Sequence, residues 1–328
     1  MRVLNEREYG LLERLVSLSQ QELHKTLSIY LKGKYKEVIV EKEYIVAVGD
    51  IPVALVAHMD TVFYNQPEDV YYDQRKGVLW SPDGLGADDR AGIYAIIQII
   101  QSGLRPSIIL TTDEEKGGIG AQKLAKKECP IPFLRYMIQL DRRGTCDCVF
   151  YECMNGKFIK YIEKFGFIEA KGSFSDISFL MPAWQICGVN LSVGYEDEHS
   201  VSETLHINAL LSTIEKVKNM LAEKAIPKFE YQELSNKLDY FAEFNNYAGP
   251  TKEEATIPCC CCGKHYFDFE LIPAKSKAEG KMKYYCPDCA VDVVEWCEHC
   301  GYAYEMIDPE DDIGICPDCM EVLSARTN

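Results

Sequence analysis

Two rhythms of apolar and polar residues divide the first two thirds of this chain. From Glu6 to Leu31, apolar residues such as Leu11, Leu12, Leu15 and Val16 recur at helical spacing among charged ones, which predicts one amphipathic helix. Strand-like runs follow at Glu37–Glu41, Tyr44–Val48 and Val53–Ala57. The last run is continuously apolar, as expected of a strand buried on both faces. Ala87–Ser102 then reads as a helix, Ser107–Thr111 as a buried strand, Ile119–Lys127 as a helix and Tyr136–Leu140 as a strand. A further strand is expected over Ile186–Leu191 and a long helix over Asn208–Lys224. Strands alternating with helices imply an α/β fold, a three-layer sandwich around a mixed, mostly parallel sheet.

The pattern changes near Pro227. Phe229–Tyr247 reads as a helical connector, and a cysteine-rich stretch begins after Gly249-Pro250. The expected organisation is a large domain over 1–227, a connector over 228–255 and a small module over 256–328. Of 15 cysteines, ten fall after residue 258, and most of these form C-x-x-C pairs. Cys129, Cys146, Cys148, Cys153 and Cys187 are scattered and read as packing residues or inert thiols. The N-terminus lacks the apolar run of a signal peptide, and no stretch of 18 or more apolar residues offers a membrane span. A cytoplasmic location is therefore expected, and in a reducing compartment paired cysteines bind metal rather than form disulfides.

Cys259, Cys262, Cys286 and Cys289 form one set of two knuckles, and Cys297, Cys300, Cys316 and Cys319 form another. Four thiolates close a tetrahedral structural zinc site, so the expectation is a tandem zinc ribbon holding two zinc ions. Pairing the first knuckle with the third, or interleaving them, is also compatible with the spacing. Cys260 and Cys261 lie inside the first knuckle and are not expected to be ligands, with Cys260 the alternative if the register slips. Ribbons often bind nucleic acid, but residues 256–328 carry 6 Lys/Arg against 14 Asp/Glu, and the whole chain has a net charge of −16. That balance argues against nucleic acid and anionic membranes as partners. Docking of a protein partner, self-association or covering of an open active site are the remaining uses of the ribbon.

Acidic and histidine residues gather where the predicted strands end. His58-Met-Asp60 follows the strand 53–57, Asp88-Asp89 opens a helix, Asp113-Glu114-Glu115 follows the strand 107–111, and Asp141 ends the strand 136–140. In open α/β sheets that edge is where ligands bind. A single Asp there reads as a helix cap or a solvated loop residue. Several together, with His199, suit a two-metal centre, which needs a bridging carboxylate, further His or carboxylate ligands, and a free carboxylate as base. Adjacent Glu114 and Glu115 offer one base and one ligand.

The blocks His58-Met-Asp-Thr-Val62, Gly86-Ala-Asp-Asp-Arg-Ala-Gly-Ile93, Thr111-Thr-Asp-Glu-Glu-Lys-Gly-Gly118, Leu140-Asp141 and Gly194-Tyr-Glu-Asp-Glu-His-Ser-Val-Ser-Glu203 occur in that order. Together they resemble the co-catalytic di-zinc exopeptidases: peptidase T, glutamate carboxypeptidase and the bacterial leucyl aminopeptidase group. The resemblance spans roughly residues 50–225. It implies a zinc-dependent peptidase, most directly an aminopeptidase acting on peptides, with deacylation of N-acyl amino acids or small amides as the alternative chemistry. A third possibility, from another class, is an interaction scaffold built on the ribbons.

Carried over by position, the resemblance implies that Asp88 bridges two zinc ions, His58 and Asp141 complete one site, and Glu115 and His199 complete the other. Glu114 is then the general base, and Asp60 orients His58. The resemblance also implies a cis Asp88–Asp89 peptide and a structural role for Ser175-Asp176. Cobalt and manganese suit such a donor set as well as zinc does.

Relatives often insert a lid between the positions of Asp141 and His199, where this chain has only 57 residues, or a domain between those of His58 and Asp88, where it has 29. Tyr195 is a candidate for the oxyanion help that a lid otherwise supplies, with a packed core tyrosine as the other reading. The acidic loop Glu196-Asp197-Glu198 is a candidate for attracting a substrate ammonium, with a solvated acidic loop as the other reading. His24 and His206 read as ordinary surface or core residues.

Overall fold

In the computed structural model, which describes residues 3–172, 174–232, 257–266, 271–276, 281–297, 303–306, 314–316 and 319, the N-terminal apolar stripe folds as two helices. These are α1 (Glu6–Val16) and α2 (Gln20–Lys32). The break has a local cause: Ser19 is the N-cap of α2 and forms a capping box with Glu22, repeating what Asn5 and Glu8 do for α1. Such a cap stabilises by about 1 kcal/mol, enough to favour a restart over one continuous helix.

The main sheet has eight strands in the order β1-β2-β6-β3-β7-β10-β8-β9. They are β1 (Glu37–Val40), β2 (Tyr44–Val48), β3 (Ile51–His58), β6 (Pro106–Thr111), β7 (Tyr136–Arg142), β8 (Asp147–Val149), β9 (Ile168–Glu169) and β10 (Cys187–Ser192). The four central strands β6, β3, β7 and β10 are mutually parallel. Antiparallel pairings attach β2 and β1 on one side and β8 on the other. Residues Val53–His58 and Pro106–Thr111 are buried at every position, so both faces of the sheet are covered. The cover comes from α3 (Ala87–Gln101), α4 (Ile119–Ala125), α6 (Asp176–Trp184) and α7 (Ile207–Leu221), together with α1 and α2. This is the three-layer α/β sandwich with a mixed, mostly parallel sheet.

Short elements absent from the apolar rhythm complete the unit. β4 (Tyr71–Asp73) and β5 (Val78–Trp80) form a hairpin, and β5 pairs with β12 (Thr204–His206), which pairs with β11 (Tyr195–Glu196). Helix α5 (Gly156–Glu163) starts at Asn155, whose side chain accepts from the Lys157 and Phe158 N–H groups. Each strand of the hairpin has only three residues, too few for an alternation to register.

The chain divides into two compact units, Met1–Ser235 and Asn236–Asn328. Residues 226–232 are not helical, in contrast to the connector expected from Phe229 onward. They run irregularly along the first unit: the Met154 N–H donates to the Gln232 carbonyl, Asn155 Nδ2 donates to the Glu230 carbonyl, and the Phe229 ring packs among Tyr136, Phe158 and Tyr161. The rest of the expected connector, 233–255, lies outside the described residues.

The second unit has a hairpin of β13 (Ile257–Pro258) and β14 (His265–Tyr266). Beside it is a sheet of β16 (Met282–Tyr285), β15 (Ile272–Lys275), β18 (Ala303–Glu305) and β17 (Val294–Trp296), with helix α8 (Pro287–Val293). Among the described residues, no helix is long and apolar enough to cross a membrane.

Phe229→Ala in the full chain should cost about 3 kcal/mol and lower the melting temperature of the first unit by roughly 6–12 °C. An unchanged melting curve would show that this segment does not belong to the first unit's core.

Candidate metal centres

The parallel register delivers the acidic cluster. His58 at the end of β3 lies opposite Thr111 at the end of β6, and Val56 lies opposite Gln139 of β7. His58, the Glu114-Glu115 turn and Asp141 therefore emerge at one sheet edge. Gln20 of α2 pins the turn from outside: its Oε1 accepts from the Asp113 N–H at 3.0 Å. Asp113 has the uncommon positive φ of 55°, and His199, between β11 and β12, has φ 62°. Both are non-glycine residues in left-handed backbone, a conformation that the surroundings must enforce.

Asp88 lies at the middle of the cluster, next to a cis Asp88–Asp89 peptide. One of its carboxylate oxygens, Oδ1, is 3.1 Å from His58 Nε2, and the other, Oδ2, is 3.2 Å from His199 Nε2. Around Oδ1, Asp141 Oδ1 is 3.5 Å from His58 Nε2. Around Oδ2, Glu115 is 3.1 Å from His199 Nε2. Two groups of donors result, His58–Asp88–Asp141 and Asp88–Glu115–His199, each with its ligand atoms within 4.8 Å of one another. Glu114 also groups with His58 and Glu115, but its Oε2 stands 4.0 Å from His58 Nε2, farther out than Asp88 or Asp141. Asp60 is on the other side of the imidazole, 3.3 Å from His58 Nδ1. Its two oxygens accept from the Glu114 and Glu115 N–H groups, each at 3.0 Å.

Electrostatics test whether cations fit here. Asp60, Asp88, Asp89, Glu114 and Asp176 are buried, and Arg90 is the buried cation beside them. Burial first, then the charges of Asp141, Asp176 and Glu115, push Glu114 far above the carboxylate range, against the pull of His58. Burial and Asp88 likewise raise Asp141 and Glu115. Hydrogen bonds to Asp88 and Glu115 hold His199 up at about 11. Two like charges about 4 Å apart repel by about 4 kcal/mol at an effective dielectric of 20. A donor set of imidazole nitrogens and carboxylate oxygens with this excess of negative charge fits a pair of divalent cations.

Further residues support the cluster, among them Ser175 and Asp176, for which the resemblance implied a structural role, and Gly92, Gln139 and Thr111, which carried no signal of their own. Buried Asp89 accepts from the His58 N–H at 3.2 Å and the Gly92 N–H at 3.0 Å. Gly92 has to be glycine, because a Cβ there would meet the Leu140 carbonyl at 2.1 Å and Asp89 Oδ1 at 2.4 Å. Asp141 Oδ2 accepts from Ser175 Oγ at 2.8 Å and Gln139 Nε2 at 3.1 Å. Asp176 Oδ2 accepts from Thr111 Oγ1 at 2.6 Å.

Of the two readings of Tyr195, the structure matches the packed one: its buried hydroxyl donates to Asp141 Oδ1 at 3.1 Å, so it positions that carboxylate instead of meeting an oxyanion. In the acidic loop, Glu198 pairs with Arg143 at 3.0 Å.

In the second unit, Cys259, Cys262, Cys286 and Cys289 bring their sulfurs within 4.8 Å of one another, which pairs the first knuckle with the second. Cys297, Cys316 and Cys319 form a second group, and Cys300 lies outside the described residues. The Cys286 N–H donates to Cys259 Sγ at 3.3 Å, and the Cys316 N–H to Cys297 Sγ at 3.2 Å. Gly263, with φ 69°, allows the turn that returns its N–H to the Cys259 carbonyl. Cys260 and Cys261 are exposed and outside the group.

No protein-family profile and no curated protein matches the chain. Solved structures do. Aminopeptidase PepT from Bacillus cereus ATCC 10987 aligns with a TM-score of 0.52 at 15% identity, over 67% of this chain and 98% of that one. A tripeptidase from Staphylococcus aureus aligns with 0.52 at 16% identity, again over 67% and 98%. A TET aminopeptidase from a marine sediment thaumarchaeon aligns with 0.50 at 13% identity, over 68% and 98%. At such identities the likeness concerns architecture: the chain has the co-catalytic zinc-exopeptidase-like fold.

Metal at the thiol groups would distinguish the two units. A strong chelator at neutral pH should make the chain beyond residue 236 sensitive to protease while 1–235 stays protected, because the described apolar residues of the second unit form two small clusters that include the cysteines. Equal protection of both units after chelation would rule out a structural metal at the thiols.

Proposed function

We propose that this chain is a two-zinc exopeptidase, and specifically an aminopeptidase acting on peptides. The observation that carries this reading is the division of the Asp88 carboxylate between two imidazoles, at 3.1 and 3.2 Å. The aminopeptidase and tripeptidase names of the structural neighbours add support for the reaction class.

His58, Asp88 and Asp141 hold one metal in this reading, and Asp88, Glu115 and His199 hold the other. When bound, the metals supply Lewis acidity, which lowers the pKa of water toward about 7 and polarises the scissile carbonyl. The chain's own residues do the remaining work. Glu114, which has no ligand role, accepts the proton of the attacking water on its carboxylate. It then delivers that proton to the leaving amine, so the carboxylate is restored as the C–N bond breaks. Asp60 serves both steps: it faces His58 Nδ1 and holds the Glu114 and Glu115 backbone through two N–H groups. In the second unit, Cys259, Cys262, Cys286 and Cys289 hold one structural zinc. Cys297, Cys316 and Cys319, with Cys300, hold another.

Glu114→Ala should lower kcat by about 10²–10⁴-fold while both exchangeable metals are retained. Near-normal turnover by a variant that loads its metals would remove Glu114 from the base role. Zinc-loaded full-length protein should cleave aminoacyl anilides and tripeptides from the amino end. Cleavage of N-acyl amino acids alone would replace the peptidase with a deacylase. Full metal loading with no hydrolysis of any of these would leave the first unit a scaffold.

A further inference from the structure

Helix α3 is interrupted at its start: Asp88 and Asp89 have non-helical backbone, and Gly86, at φ 66°, offers no side chain to accept a hydrogen bond. This stretch is buried, so its free N–H groups need an acceptor. That acceptor arrives from far along the chain. Glu203, 1% exposed, takes the Gly86 and Ala87 N–H groups on Oε2 at 2.5 and 3.1 Å, and the Asp88 N–H on Oε1 at 3.0 Å. Three successive donors leading into Asp88 thus converge on one carboxylate.

Glu203 also closes the loop that carries His199. Its N–H donates to the Ser200 carbonyl at 3.1 Å, and the next residue, Thr204, pairs with Trp80 of β5. The path from His199 through Ser200 and Glu203 to the Asp88 backbone is therefore short and hydrogen-bonded throughout. The opposite half of the cluster is held differently: His58 and Asp141 stand on neighbouring sheet strands.

We propose that Glu203 is a positioning residue for one of the two metal positions, that of Asp88, Glu115 and His199. This rests on the two-metal reading above. Glu203 sets the spacing between Asp88 and His199 without contacting either side chain's donor atom. Loss of such a partner typically weakens metal binding by about 10–100-fold, and here it falls most heavily on one position, because Asp88 serves both positions while the loop that Glu203 closes carries only His199, whose side chain is half exposed.

The test is a calorimetric zinc titration of the full-length protein, freed of its exchangeable metal, for the native chain and for Glu203→Gln and Glu203→Ala. His199→Ala identifies the step that belongs to the position in question. The expected result is a 10–100-fold weakening of that step, larger for Ala than for Gln and larger than any change in the other step, with the near-ultraviolet circular dichroism of the metal-free protein unchanged. Should Glu203→Ala fail to fold, Glu203→Gln carries the same comparison. Equal weakening of both steps, or of neither, overturns the assignment to Glu203. A native chain that takes up no exchangeable zinc overturns the two-metal reading itself.

Discussion

Everything at the sheet edge depends on holding several carboxylates close together out of water. Repulsion of that kind has to be offset, and the first unit offsets it in two tiers. Carboxylates at the periphery are satisfied by the protein. Asp60 has the Glu114 and Glu115 N–H groups, Asp89 those of His58 and Gly92, and Glu203 those of Gly86, Ala87 and Asp88. Asp141 belongs to both tiers, since Ser175, Gln139 and Tyr195 hold it within the donor cluster. At the centre, Asp88 and Glu115 face the imidazoles of His58 and His199. The excess charge is thus concentrated where metal donors converge, and the fold around it is arranged to supply N–H groups to the rest.

The second unit meets a different constraint. Its described apolar residues fall into two small clusters, and each of them includes cysteines of a knuckle. So small a core does not by itself offset the chain entropy of ordering. Backbone N–H groups are aimed at Cys259 and Cys297, so the turns that build the knuckles also donate to the sulfurs they gather.

The main elements of the first unit were legible because burial on both faces leaves a run such as Val53–Ala57 with no polar interruption. Part of the acidic cluster was legible because His58, Glu114-Glu115 and Asp141 come at or just after the ends of such runs. What was not legible depends on partners distant in sequence. Ser19 breaks the first helix through a capping box that lies in plain sight, yet the apolar period passes through it unbroken. Glu203 looks like one more acid in a loop until Gly86, Ala87 and Asp88 are brought to it across the fold. Tyr195 is an ambiguous tyrosine until β11 places its hydroxyl on Asp141. Phe229 and Glu230 followed a composition change that suggested a boundary, but their ring and carbonyl are used by the first unit.

The two histidines of the centre are not equivalent, and this bears on how a substrate reaches it. The side chain of His58 is 1% exposed and that of His199 is 50% exposed. Solvent meets the cluster from the His199 side, and so would a substrate. The loop bearing His199 also bears Glu196, Asp197 and Glu198, which suggested a lure for a substrate ammonium. Glu198 is already paired with Arg143, so part of that charge is neutralised before any substrate arrives. Glu114 and Glu115 are both held by Asp60, on the turn that Gln20 fixes from α2. In the aminopeptidase reading proposed above, a substrate amine would meet the carboxylates of the centre, and its recognition and the activation of water would draw on this same turn, so the reading requires the rigid support that the turn receives from both sides.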